Sequence, residues 1–297
     1  MTTATRMDGN ATAAAIKEEL SVRVAALRSM GLVPGLGTIL VGDDAASQSY
    51  VSAKHRDCSE VGIESLRLNL PASATEADVI SAVRYFNEAD ECTGFIVQLP
   101  LPRHVDVGRV LDEIDPHKDA DGLHPVNLGR LILGGEGTKP CTPRAILELL
   151  QRNHVTITGA QFCIIGCGVT VGRPLGLMLV SPAHHATVTL CNEATPDVAA
   201  HAREADVVVA AAGVAHLVRS DWIKPGATVM SVGLTRTVEG VLGDVHPEVE
   251  HVAGRWARPT GGVGPMTRAM LLTNLVEIAE RQVGLGVSAF EAADRDE

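Results

Sequence analysis

The chain has 297 residues, 45% of them hydrophobic, and a formal charge of −11 at pH 7, which is enough material for two ordinary domains with separate cores. The acidic balance and the absence of a Lys/Arg-rich run exclude nucleic acid and acidic membrane surfaces, since both are held through basic patches, and leave a small molecule as the expected ligand. Six scattered cysteines with no C-x-x-C pair, an opening MTTATRMDGN without an apolar signal core, and no apolar run near the ~18 residues of a span predict a reduced, cytoplasmic protein.

Asn10 is a candidate cap for a helix from Ala11 to about Met30, with Ile16, Leu20, Val24 and Leu27 on one face and Gly31 as its stop. Leu36 to Val41 reads as a buried strand, and Gly42, Asp43 and Asp44 turn the chain into a helix from about Ser47 to Val61. Tyr50 and Lys54 lie four apart on that helix, so a ring and an ammonium can meet one object, although an exposed Tyr and Lys fit the same spacing. Glu64 to Leu70 alternates like a strand, and Thr75 with Asp78 opens a helix whose apolar stripe is Val79, Val83 and Phe86. Gly94 to Val97 is a further strand. The Leu99-Pro100-Leu101-Pro102 run ends it abruptly and leaves Gln98 at the C-terminal edge, where open α/β sheets bind ligands or where a glutamine serves structure alone. Asp115 to Leu131 (DPHKDADGLHPVNLGRL) is too rich in Asp, Pro, Gly and His for a regular element and suits a functional loop. Its His117, His124, Asp115, Asp119 and Asp121 match no known metal cage, and aspartates that cap turns account for the composition.

Thr142 and Pro143 predict the cap and first position of a helix through Ile146, Leu149 and Leu150. Phe162 to Pro174 (FCIIGCGVTVGRP) then joins a short buried strand to a helix through Gly166, Gly168 and Gly172. Glycines admit a pyrophosphate to the backbone, and a helix N-terminus offers it free N–H groups. A tight strand-to-helix turn has the same spacing. Strands at Ala186–Leu190, Asp206–Ala211 and Thr228–Val232 alternate with helices, which predicts a parallel sheet with right-handed crossovers. Gly213 and Gly233 end two of these strands. Gly261 to Pro265 leads to a helix from Met266 or Thr267 to about Arg281, and Ser288 to Glu297 reads as a frayed, charged end.

Several blocks resemble one family in content and order: VGDDAASQSYVSAKH (Val41 to His55), GFIVQLPLP (Gly94 to Pro102), the Asp115 to Leu131 loop, PCTP (Pro140 to Pro143) and GGVGPMT (Gly261 to Thr267). That family is the bifunctional methylenetetrahydrofolate dehydrogenase/cyclohydrolases of one-carbon metabolism. The resemblance implies a two-domain α/β fold: an N-terminal α/β folate-binding catalytic domain of residues 1–143 with 277–297, and a Rossmann-like parallel-sheet cofactor domain of residues 144–276. The active site is expected in a cleft between them and the chain in a homodimer. Lys54 corresponds to the family's catalytic lysine, Tyr50 to the ring that positions folate, Gln98 to the lysine's hydrogen-bond partner and Asp121 to the carboxylate that holds the pterin. Leu99, Pro100, Gly264 and Pro265 would line the substrate pocket. NAD or NADP would lie against Gly166, Cys167, Gly168, Gly172, Glu193, Gly213, Gly233 and Leu234.

The sequence departs from the family in places. Cys167 and Gly168 stand where an arginine and then Ser or Gly are usual, and that arginine commonly meets the 2′-phosphate of NADP. Glu193 stands where Ser or Thr helps hold the same phosphate. An acidic residue at this strand end suits the ribose 2′-hydroxyl of NAD, although it falls somewhat beyond the customary ~20 residues. Both changes predict a preference for NAD. Ser231 replaces the usual Asp before Val-Gly, Ala145 a Gly, and Thr260 a Pro, which leaves the dehydrogenase reading intact and the efficiency of the cyclohydrolase step open. The competing readings are an enzyme with one activity only and a non-catalytic folate- or NAD-binding relative, against which the intact Tyr50, Lys54, Gln98 and Asp121 stand.

Overall fold

The computed structural model describes residues 3–238 and 240–285. The tail from Ser288, expected to be a frayed end, lies outside the described residues. The described residues form two compact units, one of Ala15–Arg130, Gly135–Lys139 and residues 271–285, the other of residues 3–14 with Leu131–Gly134 and Pro140–Met270. After β1 (Thr5–Arg6) and α1 (Gly9–Ser29) come β2 (Gly35–Val41), α2 (Ala45–Val61), β3 (Glu64–Leu70), α3 (Glu76–Glu88), β4 (Gly94–Val97), α4 (Val107–Asp112) and α5 (Pro125–Leu133). Then follow α6 (Cys141–Arg152), β5 (Gln161–Ile165), α7 (Gly172–Leu179), β6 (Thr187–Cys191), α8 (Val198–Glu204), β7 (Val207–Ala210), β8 (Thr228–Ser231), β9 (Leu234–Thr237), β10 (Gly240–Gly243), β11 (Arg255–Ala257) and α9 (Val263–Gln282).

In the unit that holds α2, β2 runs between β3 and β4, parallel to both. Every residue of β2 is buried, as a continuous apolar run predicts for a central parallel strand. One sheet face packs Ile39, Val41 and Phe95 against Val79, Val83 and Phe86 of α3. That helix opens with the predicted capping box, in which Asp78 N–H donates to Thr75 Oγ1 at 3.2 Å and Thr75 N–H to Asp78 Oδ2 at 2.8 Å.

The other unit carries a six-stranded sheet of order β1-β11-β8-β7-β5-β6, parallel throughout. Cys163, Ile165, Val208, Val229 and Trp256 contribute to its core. β9 and β10 form a separate antiparallel hairpin.

Four expected boundaries are corrected. Asp8, not Asn10, caps α1, because its Oδ1 accepts from the N–H groups of Asn10 at 3.0 Å and Ala11 at 3.2 Å. The Asp115–Leu131 stretch is not wholly irregular: α5 begins at Pro125, where a missing N–H costs nothing in a first turn. Thr142 lies inside α6 rather than at its cap, and its Oγ1 accepts from Thr267 Oγ1 at 3.3 Å. Gly264 and Pro265 belong to the first turn of α9 instead of the loop before it, where a proline again sacrifices no helical bond.

Candidate active site

Asp44 starts α2 by accepting from Ser47 N–H and Ser47 Oγ, both at 2.8 Å, and Gly62 ends it in the left-handed region at φ 88°. Between these stops the helix stacks Tyr50 and Lys54 on one face. The Lys54 ammonium sits 4.6 Å from the centroid of the Tyr50 ring, and Lys54 is only 6% exposed. Its Nζ donates to Gln98 Oε1 at 3.0 Å. Gln98 is placed by the sheet, since its N–H donates to Ile39 O at 2.9 Å just past β4. Its amide orientation follows from a second bond, Nε2 donating to Leu99 O at 2.7 Å, which turns the carbonyl oxygen toward the lysine. The Leu99–Pro100 peptide is cis. The ring face and the carbonyl oxygen hold Nζ between them.

The residues behind Lys54 are buried. Burial, with the nearby charges of Arg67 and Lys54, pushes the His55 imidazole down to about 4, and neither of its ring nitrogens has a partner among the described residues. Burial also pushes the Cys58 thiol up to about 12, so it packs rather than reacts. Nothing in the sequence separated His55 from the polar residues around it, because its burial depends on how α2 docks.

Asp121 is half-buried in the loop after α4. Its position is set by Asp119, which is 2% exposed. Asp119 Oδ1 accepts from Gly122 N–H, and its Oδ2 accepts from His124 N–H and Asn127 Nδ2, each at 2.9 Å. Phe95 N–H and Ala120 N–H bond across the same strip, so the loop adds one bridge beside β4. Asp119 and Asp115 thus cap turns. Tyr50, Lys54 and Gln98 are brought together.

The glycine turn opens β5 into a cavity of about 790 Å³. Gly166 has φ 110°, and a Cβ there would lie 2.2 Å from Ala211 O; a Cβ on Gly172 would lie 1.9 Å from Gly166 O. A Cβ on Gly168 would meet nothing within 4 Å. Two glycines therefore let the turn close on itself, and the third leaves its outer side open. With the N-terminus of α7 behind it, this turn fits a pyrophosphate. Cys167 and Glu193 line the cavity, as does Arg173. Glu193 is exposed, and neither it nor Arg173 has a side-chain partner among the described residues. Cys167 Sγ donates to Cys191 O at 3.3 Å. Gly213 and Leu234 lie exposed beyond β7 and β8, Gly233 is half-buried, and none of the three lines the cavity. Gly264 has open space at its Cα in the first turn of α9, with Pro265 next to it.

A family model described as the catalytic domain of tetrahydrofolate dehydrogenase/cyclohydrolase matches residues 7–121, and one for the NAD(P)-binding domain of the same family matches residues 140–283. Bifunctional protein FolD 1 of Nocardioides sp. is 68% identical over 282 residues, covering 95% of each chain. The bifunctional FolD dehydrogenase/cyclohydrolase of Campylobacter jejuni superposes with a TM-score of 0.90 at 41% identity, over 94% of this chain and 99% of its own. The Trypanosoma brucei FolD, solved with NADP and an inhibitor, gives 0.90 at 40% identity over 95% of this chain and 99% of its own.

Proposed function

Because the chain belongs to the tetrahydrofolate dehydrogenase/cyclohydrolase family, we propose that Lys54 moves the protons in the hydrolytic half of its chemistry and that NAD is its preferred nicotinamide. The enzyme oxidises 5,10-methylenetetrahydrofolate to the 5,10-methenyl compound and hydrolyses that to 10-formyltetrahydrofolate. The observation that carries the assignment of roles is the seat of Lys54 Nζ between the Tyr50 ring and Gln98 Oε1.

Hydrolysis requires that water lose a proton as it attacks the methenyl carbon, that a ring nitrogen gain one as its bond to that carbon breaks, and that the remaining hydroxyl proton leave to solvent as the formyl C=O forms. Lys54 Nζ, as an amine, takes the first proton, and as an ammonium it supplies the second. Gln98 Oε1 holds the nitrogen in place through both states and cannot itself take the proton. The Tyr50 ring, half-buried one turn away, packs on the flat pterin, while Asp121 accepts from the pterin's amino and ring N–H groups. Leu99, Pro100, Gly264 and Pro265 complete the substrate contacts.

Oxidation depends on orientation more than on acid or base. A nicotinamide dinucleotide supplies the hydride acceptor when bound. The turn Gly166–Gly172 holds its pyrophosphate, and Glu193 accepts from a ribose 2′-hydroxyl, which a 2′-phosphate cannot offer. Residues 1–143 with 277–297 are assigned to folate chemistry and 144–276 to the dinucleotide, in a cytoplasmic homodimer.

The deciding experiment mixes the protein with methylenetetrahydrofolate and each nicotinamide in turn. Methenyl absorbance should grow faster with NAD and then decay above the uncatalysed rate. Growth without decay would remove the role given to Lys54, and equal or faster growth with NADP would remove the role given to Glu193.

A further inference from the structure

Asp244 has no place in the chemistry above, yet it is 0% exposed and lies just after β10. Its Oδ2 accepts from Ala212 N–H at 2.6 Å and from Gly213 N–H at 3.0 Å. Its backbone is tied on both sides: Asp244 N–H donates to Gly233 O at 3.2 Å, and Val218 N–H donates to Asp244 O at 2.9 Å. The carboxyl group lies directly over Gly233, where a Cβ would come within 2.2 Å of Oδ2.

The segment that this carboxyl group grips is the wall of the cofactor cavity. Ala211 and Ala212 line it. They also press on the glycine turn, since a Cβ on Gly166 would meet Ala211 O at 2.2 Å and Ala212 N at 2.9 Å. Ala211 N–H bonds to Ile165 O at 2.7 Å, but the next two N–H groups have no strand to pair with and turn to the carboxyl oxygen instead. We infer that Asp244 is a positioning residue for the dinucleotide: it fixes the turn Ala211–Gly213 beyond β7 against the glycine turn, and so sets the width of the cavity at its pyrophosphate end. Gly233 is a glycine in order to seat that carboxyl group. Without it, the Ala212 and Gly213 N–H groups lose the acceptor that fixes them, and the turn reorganises to find others.

The inference rests on the cavity being the dinucleotide site, and the two activities of one chain separate it from a general role in stability. In Asp244→Ala, the KM for the dinucleotide should rise about tenfold or more, as expected when bonds to a buried carboxyl group are lost. Methenyl hydrolysis, assayed with no dinucleotide present, should stay within about twofold of wild type. One oxygen accepts both bonds, so Asp244→Asn should restore the dinucleotide KM. Gly233→Ala displaces the carboxyl group without removing it and should behave like Asp244→Ala, which keeps a test in hand if the alanine variant does not fold. An unchanged dinucleotide KM in Asp244→Ala or Gly233→Ala, an Asp244→Asn variant as impaired as Asp244→Ala, or a parallel fall of both activities would overturn the role. Gly172→Ala tests the premise alone: it should weaken dinucleotide binding by titration, and unchanged binding would mean that the cavity reading, and the inference with it, fails.

Discussion

Lys54 and Gln98 meet across 3.0 Å with the glutamine's amide turned so that its oxygen, and not its nitrogen, faces the ammonium. A lysine on a helix and a glutamine at a strand end, 44 residues apart, become one unit because β4 places Gln98 where α2 presents its inner face.

Lys54→Met removes the proton carrier and keeps most of the apolar stem. It is expected to abolish hydrolysis of the methenyl compound, a loss of at least about 10² in kcat from general acid–base catalysis, while the protein still binds folate. Gln98→Leu frees the ammonium without removing it and should shift the pH dependence of hydrolysis more than it lowers the maximum rate. Stopped-flow decay of methenyl absorbance across pH measures both. Wild-type hydrolysis by Lys54→Met would exclude the lysine.

Cofactor choice is expected to follow Glu193. A carboxylate about 4 Å from a phosphate opposes it by up to about 4 kcal/mol at an effective dielectric of 20, before screening, and Cys167 offers no charge to offset this. Wild type should therefore favour NAD in kcat/KM by roughly tenfold to a hundredfold after solvent screening. Cys167→Arg with Glu193→Ser should reverse the order. Arg173 lines the same cavity, so whatever NADP turnover the wild type shows should fall further in Arg173→Ala. Steady-state kinetics with both nicotinamides settles the ranking.

Features made by neighbours in sequence could be read from it, and features made by distant residues could not. The capping box at Thr75 and Asp78, the stacked Tyr50 and Lys54, and the strand–glycine–helix at Phe162–Leu179 each need only local spacing. The pairing of β1 with β11 joins residues about 250 positions apart, each strand too short to show alternation. β9 and β10 are largely exposed, which removes the burial signal. Asp119 read as a turn cap, but neither its burial nor the role of Asp244 was marked in the sequence, because what distinguishes both is that N–H groups from separate positions converge on one buried carboxyl group. The earlier start of α9 was hidden by Gly264 and Pro265, residues that read as breakers but are tolerated in a first turn.

Asp119 holds three donors at 2.9 Å with almost no solvent access. Asp119→Ala would leave them without an acceptor, at a cost of about 3 to 5 kcal/mol. Urea denaturation should show the loss directly. Because Asp121 lies two residues on, the folate KM of the surviving native protein should rise as well. A change below about 1 kcal/mol would mean that the loop is held by something else.

His55 makes stability depend on pH. Its folded value of about 4 lies below the ordinary 6.5, chiefly through burial. The native state thus resists a proton that the unfolded chain accepts. The associated stability is intact above about pH 6.5, and about 3 kcal/mol of it is lost as the pH falls toward 4. His55→Leu keeps the volume and removes the titration, so its stability should fall less steeply than wild type between those limits. Identical slopes in parallel urea titrations would assign the acid sensitivity to other groups.

Cys167 is the half-exposed cysteine beside five buried ones. Burial raises the thiols of Cys58, Cys92, Cys163 and Cys191 and withholds them from reagents. The native enzyme should therefore show one fast-reacting thiol toward an aromatic disulfide reagent, and Cys167→Ser should abolish that phase. Since Cys167 lines the 790 Å³ cavity, saturating NAD should slow the reaction, whereas folate alone should not. A fast thiol indifferent to NAD would place the dinucleotide elsewhere, and two or more fast thiols would mean that a buried cysteine opens to solvent.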